Sequence, residues 1–158
     1  MNFACLPDWE GLRQEMEELS KKEILEPTYL SLLQKEKMEA FLSSALAKRM
    51  QEADKRGLLC KEKPFVLGLP ASLLDRKFPD TEKVLIQGII DAFFEEDGEL
   101  VLVDYKTDRI SHPQELIQRY QKQLYYYQMA LEQLTGKKVK EQLLYSFALG
   151  EAVVCYPF

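Results

Sequence analysis

The chain has 158 residues, of which 46% are hydrophobic and 30% charged, and its 21 Lys and Arg against 26 Asp and Glu give a net charge of −5. These proportions describe a single globular domain with a core. They exclude a collagenous or low-complexity chain and a nucleic-acid binder held by bulk positive charge.

No apolar run approaches the roughly 20 residues that span a bilayer, and the N-terminus lacks both a basic stretch and a long apolar one. Neither a membrane segment nor a signal peptide is expected. From Asp8 to Lys22, Trp9, Leu12, Met16 and Leu19 recur at spacings of three and four, which predicts an amphipathic helix. Pro27 breaks that pattern and Thr28 is a suitable N-cap for a second helix. The stripe Leu30, Leu33, Met38, Phe41, Leu42, Ala45, Leu46 and Met50 carries it as one element to Gly57.

After Gly57 the period changes. Leu58 to Leu69 reads as a strand that Pro64 bends or confines to a sheet edge. Leu73 to Lys83 reads as a loop. Residues 84–95 and 99–106 are two β-rich runs. Ser111 is placed to cap a helix, with Pro113 in the first turn and Gln114 three residues beyond the cap, a capping-box pattern. That helix runs to about Leu134 and stops at Gly136. Val139 to Ala148 and Ala152 to Tyr156 are two further strands, with Gly150 in the turn between them.

Cys5, Cys60 and Cys155 form no paired motif, which fits a reducing compartment and excludes a four-cysteine zinc site. His112 is the single histidine, so a histidine-rich metal site and a Ser-His-Asp triad are both nearly excluded.

The chemistry gathers around a hairpin. Asp97-Gly98 is the preferred centre of a two-residue type I′ turn. If it forms the loop, paired residue numbers sum to 195, and Asp91 faces Asp104. Directly paired side chains have Cβ atoms about 4.5–5.5 Å apart. Lys106 lies two residues beyond Asp104 and shares its face. Asp91, Asp104 and Lys106 therefore converge among Ile89, Phe93, Leu100 and Leu102. Two carboxylates opposed on an apolar face repel. One can stay protonated, Lys106 can neutralise part of the charge, or a divalent cation can lie between them. An ion-pair cluster without activity fits the same spacing, although such clusters stabilise a fold poorly. On the later helix, Leu116, Tyr120, Leu124, Tyr127, Leu131 and Leu134 form a core seam. Arg119 and Gln123 lie on its flank, one turn apart, where they can contact a phosphate or simply face solvent.

The run Gly88-Ile89-Ile90-Asp91, then Val103-Asp104-Tyr105-Lys106-Thr107-Asp108, then Tyr120-x-x-Gln123-Leu124-x-x-Tyr127 resembles the RecB-type nucleases of the PD-(D/E)XK superfamily. The likeness is greatest to the C-terminal nuclease domains of AddA/RexA-type helicase–nuclease subunits, and Lys61-Glu62-Lys63-Pro64-Phe65-Val66-Leu67 resembles that subgroup too. The resemblance implies an α/β, restriction-endonuclease-like core with a mixed sheet of four or five strands flanked by helices. The expected organisation is an N-terminal helical segment at 1–57 and a nuclease core at 58–158 within one compact domain. It also implies metal-dependent cutting of DNA strands, an exonuclease activity coupled to ATP-dependent unwinding in double-strand-break repair and recombination.

Under the resemblance, Asp91, Asp104 and the carbonyl of Tyr105 hold Mg²⁺, or Mn²⁺ in its place. Lys106 is the catalytic lysine, Gln123 completes the catalytic set, and Tyr127 and Arg119 support the site or the DNA. The implied partners are DNA, the helicase portion of a parent protein and an AddB/RexB-type subunit, in the bacterial cytoplasm. The iron–sulfur cluster of that partner is not expected in this chain. The family's Gly-Thr-x-x-His segment has no counterpart here, and His112 lies elsewhere. No Walker motif occurs. The chain is expected to be a nuclease piece that starts just downstream of that histidine and binds metal weakly. The runner-up expectation is a catalytically silent nuclease fold that guides DNA or serves subunit docking.

Overall fold

The computed structural model describes residues 3, 8–22, 24, 34–73, 76–79 and 81–156. Within them lie α1 (Trp9–Lys21), α2 (Lys35–Ser43), α3 (Ala45–Lys55), β1 (Leu59–Pro70), a 3-10 turn at Ala71–Leu73, β2 (Lys83–Glu96), β3 (Glu99–Lys106), α4 (Pro113–Thr135), β4 (Val139–Ser146) and β5 (Glu151–Cys155). The strands form one sheet in the order β1-β2-β3-β4-β5. Only β3 and β4 run parallel, joined across α4, and the other neighbours are antiparallel. The fold is thus the expected α/β mixed sheet. No helix among the described residues is long and apolar enough to cross a membrane.

Alternation along β3 divides the core. Val101 and Val103 pack with Phe41, Leu46 and Met50 under α1–α3, together with Phe94 and Tyr145. Leu100 and Leu102 pack on the opposite face with Leu116, Leu124 and Leu131 of α4. Both faces are covered, which is why β3 reads as a continuous apolar run from Leu100 to Val103. Pro64 is accommodated because β1 is the edge strand, where a missing N–H breaks no second ladder. The turn forms as its residues require: Asp97 and Gly98 take φ of 56° and 83°, and Glu96 faces Glu99.

Three expectations are corrected. The second helix is two helices. Ser44 is extended, at ψ 155°, and its side chain accepts from Ala47 N at 3.1 Å as the N-cap of α3. Ser43 Oγ donates to the carbonyls of Glu39 and Ala40 at 2.8 and 3.2 Å. Paired serines that bond to the backbone compete with helix continuation. Pro27, Thr28, Leu30 and Leu33 lie outside the described residues. The cap of α4 is His112, not Ser111, and no side-chain cap bond forms. Pro113 at the first position forces the preceding residue out of the helical region, and His112 is extended at φ −139° and ψ 140°. Lastly, Leu134 is 56% exposed and falls off the α4 seam.

An ion-pair network ties α3 to the hairpin end of the sheet. Arg49 grips Glu96 with Nε at 3.1 Å and Nη2 at 2.9 Å, and Nη2 also reaches Glu141 at 2.6 Å. The hydrogen bonds from Arg49, aided by Lys140, hold the Glu96 carboxyl at about 2, below its ordinary 4.5. A depressed acid stabilises the fold fully above its unfolded value and loses that contribution as pH falls through the folded one. Arg49→Met is therefore expected to melt below wild type at neutral pH, with the gap closing between about pH 4.5 and 2. Thermal melts across that window check it; a gap constant with pH contradicts it.

Candidate active site

The C-terminal half of β3 turns Asp104 and Lys106 toward α4. Lys106 Nζ lies 2.5 Å from Asp104 Oδ2 as an ion contact. It donates to Gln123 Oε1 at 3.0 Å and stands 3.9 Å from the centre of the Tyr120 ring. Gln123 Nε2 in turn donates to the Tyr127 hydroxyl at 2.7 Å. Each member fixes the next, so the ammonium is held by its carboxylate, an amide oxygen and an aromatic face.

Behind this chain stands Phe65 of β1, packed edge-on to Tyr127 at 5.4 Å. Phe65 pairs with Gly88 across the β1–β2 ladder. A Cβ at residue 88 would come within 3.0 Å of the Phe65 ring and 3.6 Å of Tyr127. Gly88 thus provides the space that lets Phe65 and Tyr127 set the position of Gln123.

Asp91 is not the rung partner of Asp104. The β2–β3 ladder ends at Ala92–Val103. The β1–β2 ladder skips Glu62 and Asp91, with partners resuming on both sides. At that point both strands change face. Leu59, Ala92 and Phe94 pack under the α1–α3 layer, whereas Phe65, Ile90 and Ile86 pack under α4. Glu62 takes φ 51°, a left-handed value that is strained for a non-glycine residue. A strict two-residue period cannot anticipate this flip, which explains why Ile89, expected on the carboxylate face, is 57% exposed. Asp91 Oδ2 instead accepts from the backbone N–H of Tyr105 at 2.9 Å. Ladder N–H groups point in the sheet plane, so this carboxylate occupies the gap where β2 and β3 part.

The two carboxylates still feel each other. Burial raises the Asp104 carboxyl above its ordinary value, Lys106 opposes the shift, and the charge of Asp91 adds to it. Asp104 is 2% exposed, and its Oδ2 meets the Lys106 ammonium and, among the described residues, no other donor. The Tyr127 hydroxyl is raised by burial and then, against the Gln123 bond, by Asp104 and Asp91. A buried carboxylate beside a second carboxylate suits a hard divalent cation with oxygen ligands. Asp91 and Asp104 are the carboxylates at hand. Among the described residues, no three His, Cys, Asp or Glu side chains gather to hold a metal ion. A Mg²⁺-like ion that keeps several waters fits this donor set, and an all-protein cage does not.

Arg119 joins this cluster only through Asp108 and Tyr120. Its Nη1 donates to Asp108 Oδ1 at 2.9 Å, and the Tyr120 hydroxyl donates to Asp108 Oδ2 at 2.8 Å. These bonds, Tyr120 first, hold Asp108 below the usual carboxylate range and fasten the loop after Lys106. Sequence reasoning reads Phe65 and Gly88 only within motif runs and Tyr120 as a core residue, with no part for any of them in placing Lys106 or Gln123. The Gly88–Phe65 contact needed the β1–β2 register, which no turn motif supplies.

The sequence model of the PD-(D/E)XK nuclease superfamily matches residues 6–155. The A-type ATP-dependent helicase/nuclease subunit of Lachnoclostridium phytofermentans is 35% identical over 90% of this chain and 13% of its own length. The proteins of the same name from Clostridium beijerinckii and Acetivibrio thermocellus are 36% and 38% identical, over 97% and 87% of this chain. The chain spans 13% and 11% of those two relatives. One solved structure, of SSO0001, aligns with 99% of this chain and 66% of its own at a TM-score of 0.46 and 15% identity.

Proposed function

The chain belongs to the PD-(D/E)XK nuclease superfamily and is a nuclease domain homologous to the A-type helicase/nuclease subunits; from that premise we propose that it hydrolyses phosphodiester bonds of DNA with Mg²⁺. The observation that carries the reading is the Asp104–Lys106–Gln123 chain, with Asp91 at its side in the gap of the sheet. Asp91, Asp104 and the Tyr105 carbonyl would hold Mg²⁺ or Mn²⁺, which supplies Lewis-acid charge at the phosphate. Lys106 presents its ammonium to the attacking water or to the charge that develops on phosphate oxygens. Gln123 orients that ammonium, and Tyr127 orients Gln123.

The wider role we propose is the exonuclease module of a helicase–nuclease with an AddB/RexB-type partner, acting in double-strand-break repair in the bacterial cytoplasm. Residues 1–57 and 58–158 are read as a helical segment and a nuclease core that fold together, supported by the cluster that Phe41 and Met50 share with Val103 and Tyr145.

The test is cutting of labelled single-stranded DNA with and without Mg²⁺. Metal-dependent cleavage by this chain, absent in Asp91→Ala, is the expected result; metal-independent cleavage, or cleavage retained by Asp91→Ala, contradicts it. The lack of a third acidic or histidine ligand among the described residues favours the silent docking reading as the second. Binding of DNA or helicase with no cutting at any metal concentration selects that reading.

A further inference from the structure

Two clefts lie side by side where α2 faces the end of β3. One, of about 420 Å³, is bounded by Asp91, Tyr105 and Glu62, with Met38 and Phe147 in its wall. The other, of about 350 Å³, is bounded by Gln34, Lys37, Thr107 and Arg109 around the same Met38 and Phe147. The two clefts adjoin at Met38 and Phe147, which line both, and together they form a trough only if a ligand crosses that shared wall. One end is the Asp91 carboxylate, and the other begins at Thr107, directly after Lys106.

The second cleft is the cationic end. Lys37 and Arg109 form no ion pair among the described residues. The acid adjacent to Arg109, Asp108, is already taken by Arg119 and Tyr120, which also fix the loop that presents Arg109. On a chain of net charge −5, two cations facing one cleft with no acid among its described lining residues are a local exception. The floor between the ends is a thioether and an aromatic ring. Such a floor suits the faces of bases, which a single strand exposes and a duplex buries.

We propose that this trough carries one DNA strand past the candidate active site, with Lys37 and Arg109 each neutralising a backbone phosphate and Met38 and Phe147 lying under the intervening nucleotides. The proposal rests on the nuclease reading for its ligand, and it adds a strand path that the motif residues do not specify. The path leaves the site on the α2 side, whereas Gln123 and Tyr127 reach it from the α4 side.

The experiment is fluorescence anisotropy of a labelled single-stranded oligonucleotide with the full chain, in EDTA so that no metal-dependent cutting occurs, over a range of salt concentrations. Each neutralised phosphate on a single strand contributes about 0.7 to the slope of log affinity against log salt. Lys37→Ala with Arg109→Ala is therefore expected to lower that slope by about 1.4 and to weaken binding most at low salt. The swapped pair Lys37→Arg with Arg109→Lys should retain the wild-type slope, because charge and not packing carries the effect. Lys83→Ala with Lys138→Ala removes equal charge from exposed positions outside the trough and should change the slope far less. An unchanged slope in the first pair, an equal loss in the control pair, or no binding by the wild-type chain overturns the proposal. The two readings fail separately. DNA cut with Mg²⁺ but bound normally by the first pair sinks the strand path alone. Binding through Lys37 and Arg109 with no cutting in Mg²⁺ sinks the nuclease reading alone.

Discussion

Lys106→Ala is expected to slow metal-dependent DNA cutting by about 10²–10⁴-fold, the usual worth of a positioned base or charge stabiliser. The structure gives the reason for so large an effect. The ammonium is held between Asp104 and Gln123, over the ring of Tyr120, and replacing it leaves no other cation in contact with Asp104 or Gln123 among the interactions described. Folding should survive. Losing Lys106 removes the influence that lowers the Asp104 carboxyl, which burial already raises, so that carboxyl can take a proton instead of remaining a lone buried charge. Single-turnover cutting, paired with thermal melts and Mg²⁺ calorimetry, checks the prediction. If Lys106→Ala unfolds the chain while Lys106→Met restores both fold and cutting, Lys106 is a packing residue and the assigned role is wrong.

Asp104→Asn is expected to reduce cutting to background and to abolish the Mg²⁺ binding proposed for the wild-type chain, while the metal-free protein becomes more stable. The stability sign follows from the raised carboxyl. An acid whose folded value lies above its unfolded one contributes stability that is present below the unfolded value, here 3.8, and lost as pH rises through the folded one. Asn does not titrate, so the variant lacks that loss. It also removes the repulsion with Asp91, while Lys106 keeps Gln123 and the Tyr120 ring. The raised carboxyl means that burial and Asp91 together outweigh Lys106, so losing this charge gains more than losing the pair costs, and a net gain of about 1 kcal/mol raises Tm by about 2–4 °C in a chain of this size. The gain should grow between acid and neutral pH. A melting point that falls most at neutral pH, relative to wild type, would show that the Lys106–Asp104 pair stabilises the metal-free fold and would remove the case for a cation there.

How far the sequence reached depends on the range of the forces involved. Local rules settled local structure. Asp97-Gly98 needed positive φ at both turn positions and fixed the register of the five rungs from Ala92–Val103 to Glu96–Glu99. Gly136 closed α4 in the left-handed conformation, and Pro64 placed β1 at an edge. The two-residue period put Asp104 and Lys106 on one face, and the helical period put Gln123 where Lys106 could meet it. What tertiary structure alone decided lies at Glu62 and Asp91. There two strands change face together, and the carboxylate swings into the sheet gap to take the Tyr105 N–H. No periodic rule can foresee that step, because it is set by two layers of helices competing for opposite faces of the same strands. The Gly88–Phe65–Tyr127 contact behind Gln123 and the pairing of Arg119 with Asp108 belong to the same class. Each joins residues from elements whose relative placement comes from packing the whole core, not from any stretch of chain short enough to be read on its own.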